Sequence, residues 1–261
     1  MRALDIAATG MDAQQTRVEV ISNNLANMNT TAYNPRRAEF ADLHYQQVRQ
    51  PGTINASDGT VLPTGVQIGL GVATVAVAME VEQGALRQTG GELDVAIEGS
   101  GFLEVTLPNG LAAYTRDGGL KRTGDGLIVT SEGYPVVPDI TIPDEVRSIE
   151  INADGDVIAT FADQVATQVL GRFTLASFAN DKGLEAIGGN LFVETAASGP
   201  PNIGDAGLDG RGFFRNGFLE ESSVDPVREI TELIEAQRGY EMNAKVITAA
   251  DQMLGATVQI R

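Results

Sequence analysis

Apolar residues recur every seven positions at both ends of this chain. Leu4, Met11, Val18 and Leu25 form one row near the start; Leu233, Tyr240, Ile247 and Leu254 form another near the end. Ala7, Gln14, Ile21 and Met28 lie three residues on from the first row, completing an a/d pattern with Gln14 as a polar interruption. The spacing predicts a helix over 4–29, about 39 Å long at 1.5 Å per residue. Asn27, Asn29, Thr30 and Thr31 weaken its end, and Pro35 disfavours helical geometry at Asn34. The C-terminal helix has a clear start: Asp225 is a good N-cap, Pro226 suits the first helical position, and Glu229 favours the positive end of the dipole. Ile230, Leu233, Ile234, Tyr240, Ile247, Leu254 and Val258 make its apolar face, with Gln237 and Asn243 as polar groups on or near it. An amphipathic helix of this kind cannot bury its stripe alone. One reading is a surface helix packed on its own domain. The matched stripe at the other terminus favours another: the two ends meet each other and then meet copies of themselves.

Between the helices the period changes. Residues 50–71 are rich in Gly, Pro, Ser and Asn, sustain no period, and predict a long loop or extended arm. From residue 72 the period is two. Val75, Val77, Met79 and Val81 alternate with Ala76, Ala78 and Glu80, and Leu93, Val95 and Ile97 with Asp94, Ala96 and Glu98. Each run predicts a half-buried strand, separated from the next by Gly- and Asn-containing turns. Further short strands are expected near 127–130, 134–142, 147–152, 156–161, 168–178 and 190–195, and residues 198–212 form another flexible crossing. No helical pattern interrupts them, so βαβ units are not expected. The fold class is therefore mainly β with terminal α-helices: an antiparallel β-domain plus an α-helical, coiled-coil-like domain made by the N- and C-terminal segments. The expected division is 1–30 paired with 225–261, an arm over 31–71, and the β-domain over 72–224.

Composition narrows the function. With 261 residues and 43% hydrophobic content the chain can build a real core. A formal charge of −17 argues against nucleic-acid binding, which Lys and Arg drive; Arg36 and Arg37 are only a doublet. Without cysteine there are no disulfides, thiolate nucleophiles or Cys-ligated metals. No apolar stretch is long enough to span a membrane as a helix, and the first residues lack the pattern of a cleaved secretory signal. If the protein leaves the cytoplasm, another export route takes it.

Catalytic chemistry is sparse. The one histidine, His44, lies in a polar segment with no nucleophile-elbow motif elsewhere. Asn152-Ala-Asp154-Gly155-Asp156 faintly resembles a calcium loop but lacks the twelve-residue pattern, and a hairpin turn is expected there. Gly69-Leu-Gly71 carries no weight as a nucleotide loop. Carboxylates are abundant, yet their spacing selects no acid/base pair. No catalytic residue, cofactor or metal site is expected.

Four motifs carry a resemblance. Asn23-Asn24-Leu25-Ala26-Asn27-Met28-Asn29-Thr30, with Tyr33 beyond it, resembles the N-terminal signature of the bacterial flagellar rod, hook and hook-associated proteins. Leu93 to Phe102 is similar to the core strand motif of the rod and hook branch, and Tyr114-Thr115-Arg116-Asp117-Gly118 follows as it does there. Gln237 to Lys245 resembles the family's C-terminal helix signature, and Asp251-Gln252-Met253-Leu254 fits its end. The segments Tyr45–Gly52 and Leu62–Gly69 are similar to an insertion of the distal rod branch. Ala32 stands where the family usually has glycine, Asn34 where it has lysine, and Gly239 where it has alanine.

The resemblance implies self-assembly into a rigid hollow helical shaft that transmits motor torque. The helices would form the inner layer around an export channel, with Leu4, Met11, Val18, Ile21, Leu25, Met28, Ile230, Leu233, Tyr240, Ile247 and Leu254 between subunits. The arm residues Gln50, Pro51, Gly52, Leu62, Pro63 and Gly65 would bridge neighbours. Implied partners are further copies of the chain, proximal rod and hook proteins, the surrounding basal-body rings and the flagellar export apparatus, with no nucleic acid and no membrane insertion. The implied location is the periplasm-spanning rod of the basal body. Alternatives are a proximal rod or hook protein of the same family, or a secreted acidic β-rich hydrolase with a helical appendage.

Overall fold

A computed structural model describes residues 2–50, 64–161 and 167–259 of the chain. It is mostly β, with one long α-helix at each end of the sequence. Helix α1 spans Arg2–Ala26. Four strands follow: β1 (Arg36–Asp42), β2 (Tyr45–Arg49), β3 (Val66–Gly69) and β4 (Val72–Met79). Next come β5 (Leu86–Gln88), β6 (Val95–Glu98), β7 (Leu103–Thr106), β8 (Ala112–Thr115), β9 (Lys121–Arg122) and β10 (Ile128–Val129). The second half holds β11 (Val146–Ile151), β12 (Asp156–Phe161), β13 (Gln168–Arg172), β14 (Leu175–Ser177), β15 (Glu185–Gly188) and β16 (Leu191–Val193). Last are β17 (Asn202–Gly204), β18 (Phe213–Asn216), β19 (Phe218–Glu220) and helix α2 (Pro226–Gln259).

The chain divides into two compact units. One, the helical unit, holds the described parts of Met1–Ala26, Arg36–Met79 and Asp225–Arg261; the other, the β unit, holds Asn27–Pro35 and Glu80–Val224. Every strand ladder is antiparallel, as expected where no helix connects the strands. None of the described helices is long and apolar enough to cross a membrane.

The β unit contains the hydrophobic core. Val95 and Ile97 of β6, Leu103 and Val105 of β7, Val157 of β12, Phe173 and Leu175 are buried in one cluster with Ile128, Val136 and Ile142. Its sheets include a four-stranded one in the order β15-β16-β8-β7 and a three-stranded one in the order β11-β12-β13. Ala96 is as buried as its neighbours Val95 and Ile97, so β6 is covered on both faces rather than alternating in and out. The 152–156 segment turns the β11–β12 hairpin: Asn152 Oδ1 accepts the N–H of Asp154 at 3.1 Å and of Asp156 at 2.7 Å. That self-bonded asparagine is the reason the loop closes locally.

In the helical unit, α1 and α2 lie side by side and antiparallel. Arg17 pairs with Glu232 at 3.3 Å, and Asn24 Nδ2 donates to Glu229 Oε2 at 3.3 Å, so rising numbers on one helix meet falling numbers on the other. Strands β1 and β4 pair from Arg36↔Met79 to Asp42↔Val72, and β2 pairs with β3. The segment expected as an arm therefore carries β1, β2 and β3. The alternation of Val75 and Val77 predicts a covered face, which the structure corrects: they are 65% and 42% exposed, while Met79 is buried. Among the described residues the two strands form a ribbon with no further strand paired to it, so only one end of the apolar row finds cover.

Candidate assembly surface

Helix α1 ends three residues earlier than 4–29 predicts, at Ala26, because the chain turns sharply there. Thr30 Oγ1 donates to Asn27 Oδ1 at 3.1 Å, the Thr30 N–H donates to the Asn27 carbonyl at 3.1 Å, and Ala32 takes a left-handed φ of 53°. Met28 consequently lies beyond the helix, exposed, in the turn. Helix α2 begins where the capping residues predict: Asp225 Oδ1 accepts the N–H of Val227 at 2.9 Å.

The face between the helices is lined by small residues. Ala7 and Ala13 of α1 and Ala236 and Ala250 of α2 are buried. A Cβ added to Gly10 would lie 2.9 Å from Asn243 Nδ2, and one added to Gly239 would lie 3.2 Å from Gln14 Cδ. Close approach has replaced large interlocking side chains. Among the predicted interface residues Ile21 is buried, and Leu4, Met11, Val18, Leu25, Leu233, Ile247 and Leu254 are half-buried. Ile230 and Tyr240 are exposed, as are Ile234 (44%), Met242 (61%) and Val246. Of the predicted arm residues, Gln50 is exposed and Gly65 half-buried, while Pro51, Gly52, Leu62 and Pro63 lie outside the described residues. The β2–β3 ribbon beside them exposes Tyr45, Val48, Val66 and Ile68.

Asn24 is the residue whose role periodicity could not reveal. It is almost fully buried on α1. Its Nδ2 donates to the Arg36 carbonyl at 2.8 Å and its Oδ1 accepts the Arg36 N–H at 2.9 Å, so one side chain holds both backbone groups of the first residue of β1. Its second donation, to Glu229, ties the same point to α2. Its place in the Asn23-Asn24-Leu25 motif was the available signal.

The β unit's motifs converge on a buried clamp. Arg116 donates through Nε to Glu220 Oε2 at 3.1 Å and through its terminal nitrogens to the carbonyls of Gly101 and Gly99, both at 3.0 Å. Its guanidinium also lies 5.9 Å from the Phe102 ring centroid. Glu220 completes its own bonding by accepting the Gly84 N–H at 2.9 Å through Oε1. A planar, permanently charged group with five donors suits this cluster of carbonyls and carboxylate. Gly118 is required by space, since a Cβ there would sit 1.6 Å from the Val95 carbonyl oxygen. The sequence-recognised Leu93–Phe102 and Tyr114–Gly118 motifs are two sides of one scaffold.

The rest offers little reactive chemistry. His44 is exposed in the turn between β1 and β2. Among the described residues no three His, Cys, Asp or Glu side chains gather as a metal site would require. A concavity of about 340 Å³ in the β unit is lined by Thr30, Thr115, Asp117, Thr130, Glu132 and Asn190, among others. Burial holds the Asp117 carboxyl above its ordinary range, partly offset by the hydrogen bond it accepts from the Gly119 N–H. Burial also pushes the Tyr114 hydroxyl up to about 12, with Glu104 and Glu194 adding to the shift.

Comparison with known proteins bears on each part just described. A family model described as "Flagella basal body rod protein" matches residues 4–33. One for the "Flagellar hook protein FlgE/F/G D1 domain" matches 96–159. One for the "Flagellar basal body rod FlgEFG protein C-terminal" matches 215–260. The flagellar basal-body rod protein FlgG of Caulobacter vibrioides is 50% identical over 261 residues, covering all of both chains. That of Agrobacterium fabrum is 49% identical over 253 residues, 97% of each chain. The flagellar hook-basal body complex protein FlhP of Bacillus subtilis is 31% identical over 274 residues, again covering both chains completely. Since the matches reach both helices and the strands between them, and the likeness runs from end to end, this chain belongs to the flagellar basal-body rod protein family.

Proposed function

We propose that this chain is the structural subunit of the flagellar distal rod and that it polymerises through its helical unit into a stiff, hollow, torque-bearing shaft. The observation that carries the reading is a mismatch inside that unit. Its helices bury alanines against each other and leave Ile230, Ile234 and Tyr240 in water, so the larger apolar side chains await another surface. A subunit built for association exposes such groups beside a core that is already complete. In the tube, several copies of α1 and α2 pack in coiled-coil-like fashion around a central export channel, and the β unit faces outward. The relatives named FlgG, alike across the whole chain, support the rod assignment over a hook subunit.

The arm over 46–66 braces adjacent subunits. A shaft must resist the sliding between neighbours that lets a hook bend, and a wedge between them supplies that resistance. Proximal rod and hook proteins abut the tube at its two ends, the basal-body rings surround it, and the export apparatus delivers the subunits.

Electron microscopy and sedimentation of concentrated protein test the reading. Straight tubes are expected, with amide exchange at 10–25 and 232–250 fast in dilute chain and strongly slowed in the polymer. A rigid monomer at high concentration, already protected in those segments, overturns it. Deleting 46–63 should leave tubes that curve; straight tubes after the deletion would remove the bracing role.

A further inference from the structure

The helix pair contains a reciprocal polar layer. Gln14 of α1 lies against Gly239 of α2, and Asn243 of α2 lies against Gly10 of α1, each amide over a residue without a side chain. The two contacts are unequal in one respect. Gln14 Oε1 is buried with no hydrogen-bond partner, one of only two such side-chain atoms among the described residues. A buried amide oxygen without a donor destabilises the state that holds it, and native proteins rarely leave one so. A Cβ on Gly239 would lie 3.4 Å from that oxygen, so the amide packs directly on the α2 backbone.

We infer that Gln14 is an assembly acceptor: its Oε1 receives a side-chain N–H from a second copy of this chain. The inference rests on the self-assembly reading above. Two donors are available on α2. Gln237 and Arg238 are exposed on α2 immediately before Gly239, and an adjoining copy presents the same pair of groups, an amide and a guanidinium. They stand beside exposed Ile234 and Tyr240, so a neighbour that covers those apolar residues brings its donors into the same layer. Pairing within one chain is therefore left incomplete, and joining the polymer completes it.

Gln14→Met, of similar length and without the amide, separates the two states. In dilute chain it removes the unpartnered oxygen, so amide exchange over 10–25 should slow roughly tenfold. In concentrated protein it strands the neighbour's donor, so the critical concentration should rise roughly three- to tenfold. A plain packing effect would move both readings in one direction; opposite signs are the signature. Exchange that is unchanged or faster overturns the inference, because the oxygen then has a partner already. So does an unchanged or lower critical concentration. Double-mutant cycles with Gln237→Met and Arg238→Met identify the donor by non-additivity, and additivity with both overturns the proposal. Wild-type protein run alongside keeps the cases apart: if it forms no polymer, the functional reading fails, and this inference with it.

Discussion

The β unit and the helical unit solve burial in opposite ways. In the β unit Phe102, Phe173, Leu103, Ile97 and Ile128 are fully enclosed, and a deep ion pair, Arg116 with Glu220, is surrounded by carbonyl acceptors and a backbone donor. In the helical unit the enclosed side chains are mainly alanines, with Ile21, Met79 and Asn24, while isoleucines, methionines and a tyrosine face water. Apolar burial contributes roughly 25 cal/mol per Å², and alanine has little area to contribute. The difference teaches that one unit is finished by folding and the other by association. Stability measured on dilute chain should therefore report the first, and polymerisation the second.

The most severe test of that contrast is Arg116→Met. Removing one partner leaves Glu220 buried without compensation and strips the Gly99 and Gly101 carbonyls of their donor. A loss of about 3–5 kcal/mol is expected in denaturant unfolding of the β unit. Next, Phe173→Ala and Ile234→Ala should diverge. The first costs about 3–5 kcal/mol in dilute chain; the second should change dilute stability by less than about 0.5 kcal/mol yet sharply reduce polymer yield in sedimentation. Equal effects on dilute stability would erase the distinction between the units. Within the helical unit, Asn24→Ala should cost about 1–3 kcal/mol, read as faster amide exchange in α1, because both backbone groups of Arg36 lose their partner.

Two smaller changes sharpen the picture of the β unit. Ala32 occupies a left-handed conformation that glycine adopts freely, and its N–H donates to the Glu220 carbonyl at 2.9 Å. Ala32→Gly should raise thermal stability by about 1 kcal/mol or less, relief of strain being partly offset by chain entropy. Asp117→Asn concerns pH. Burial raises the folded-state pKa above the ordinary aspartate value, so the folded protein holds that proton more tightly than the unfolded chain does. The associated stability is present below the unfolded pKa and is lost as pH rises through the folded one. The variant should be more stable than wild type at neutral pH by under about 1 kcal/mol, with the advantage gone in acid, a pattern that thermal unfolding across pH will read.

Much of this architecture is legible in the residues, for identifiable reasons. Asp225 and Pro226 state their local preference without help from distant contacts, so the start of α2 could be read directly. The strands expected near 147–152 and 156–161 appear as β11 and β12 because a strong turn separates two alternating runs. The helix–helix face was harder. A seven-residue period selects large apolar residues, whereas close approach selects small ones, so the period passes over Ala13 and Ala236 and picks out the exposed Tyr240. The orientation of Val75 and Val77 was hidden because alternation says that a strand has two faces, not that either is covered. The role of Arg116 depends on carbonyls of the 97–101 segment and on a carboxylate 104 positions away, Glu220, which no local pattern encodes.

The bond from Asn24 to Glu229 spans 205 positions of sequence. Contacts of such separation form late, since distant ends must first be brought together. A nascent or freshly delivered chain thus presents α1 long before α2 exists to meet it, whereas hairpins such as β7–β8 and β11–β12 have both strands close in sequence. The order of events is written into the connectivity: local hairpins form first, and the zipper between α1 and α2 closes last.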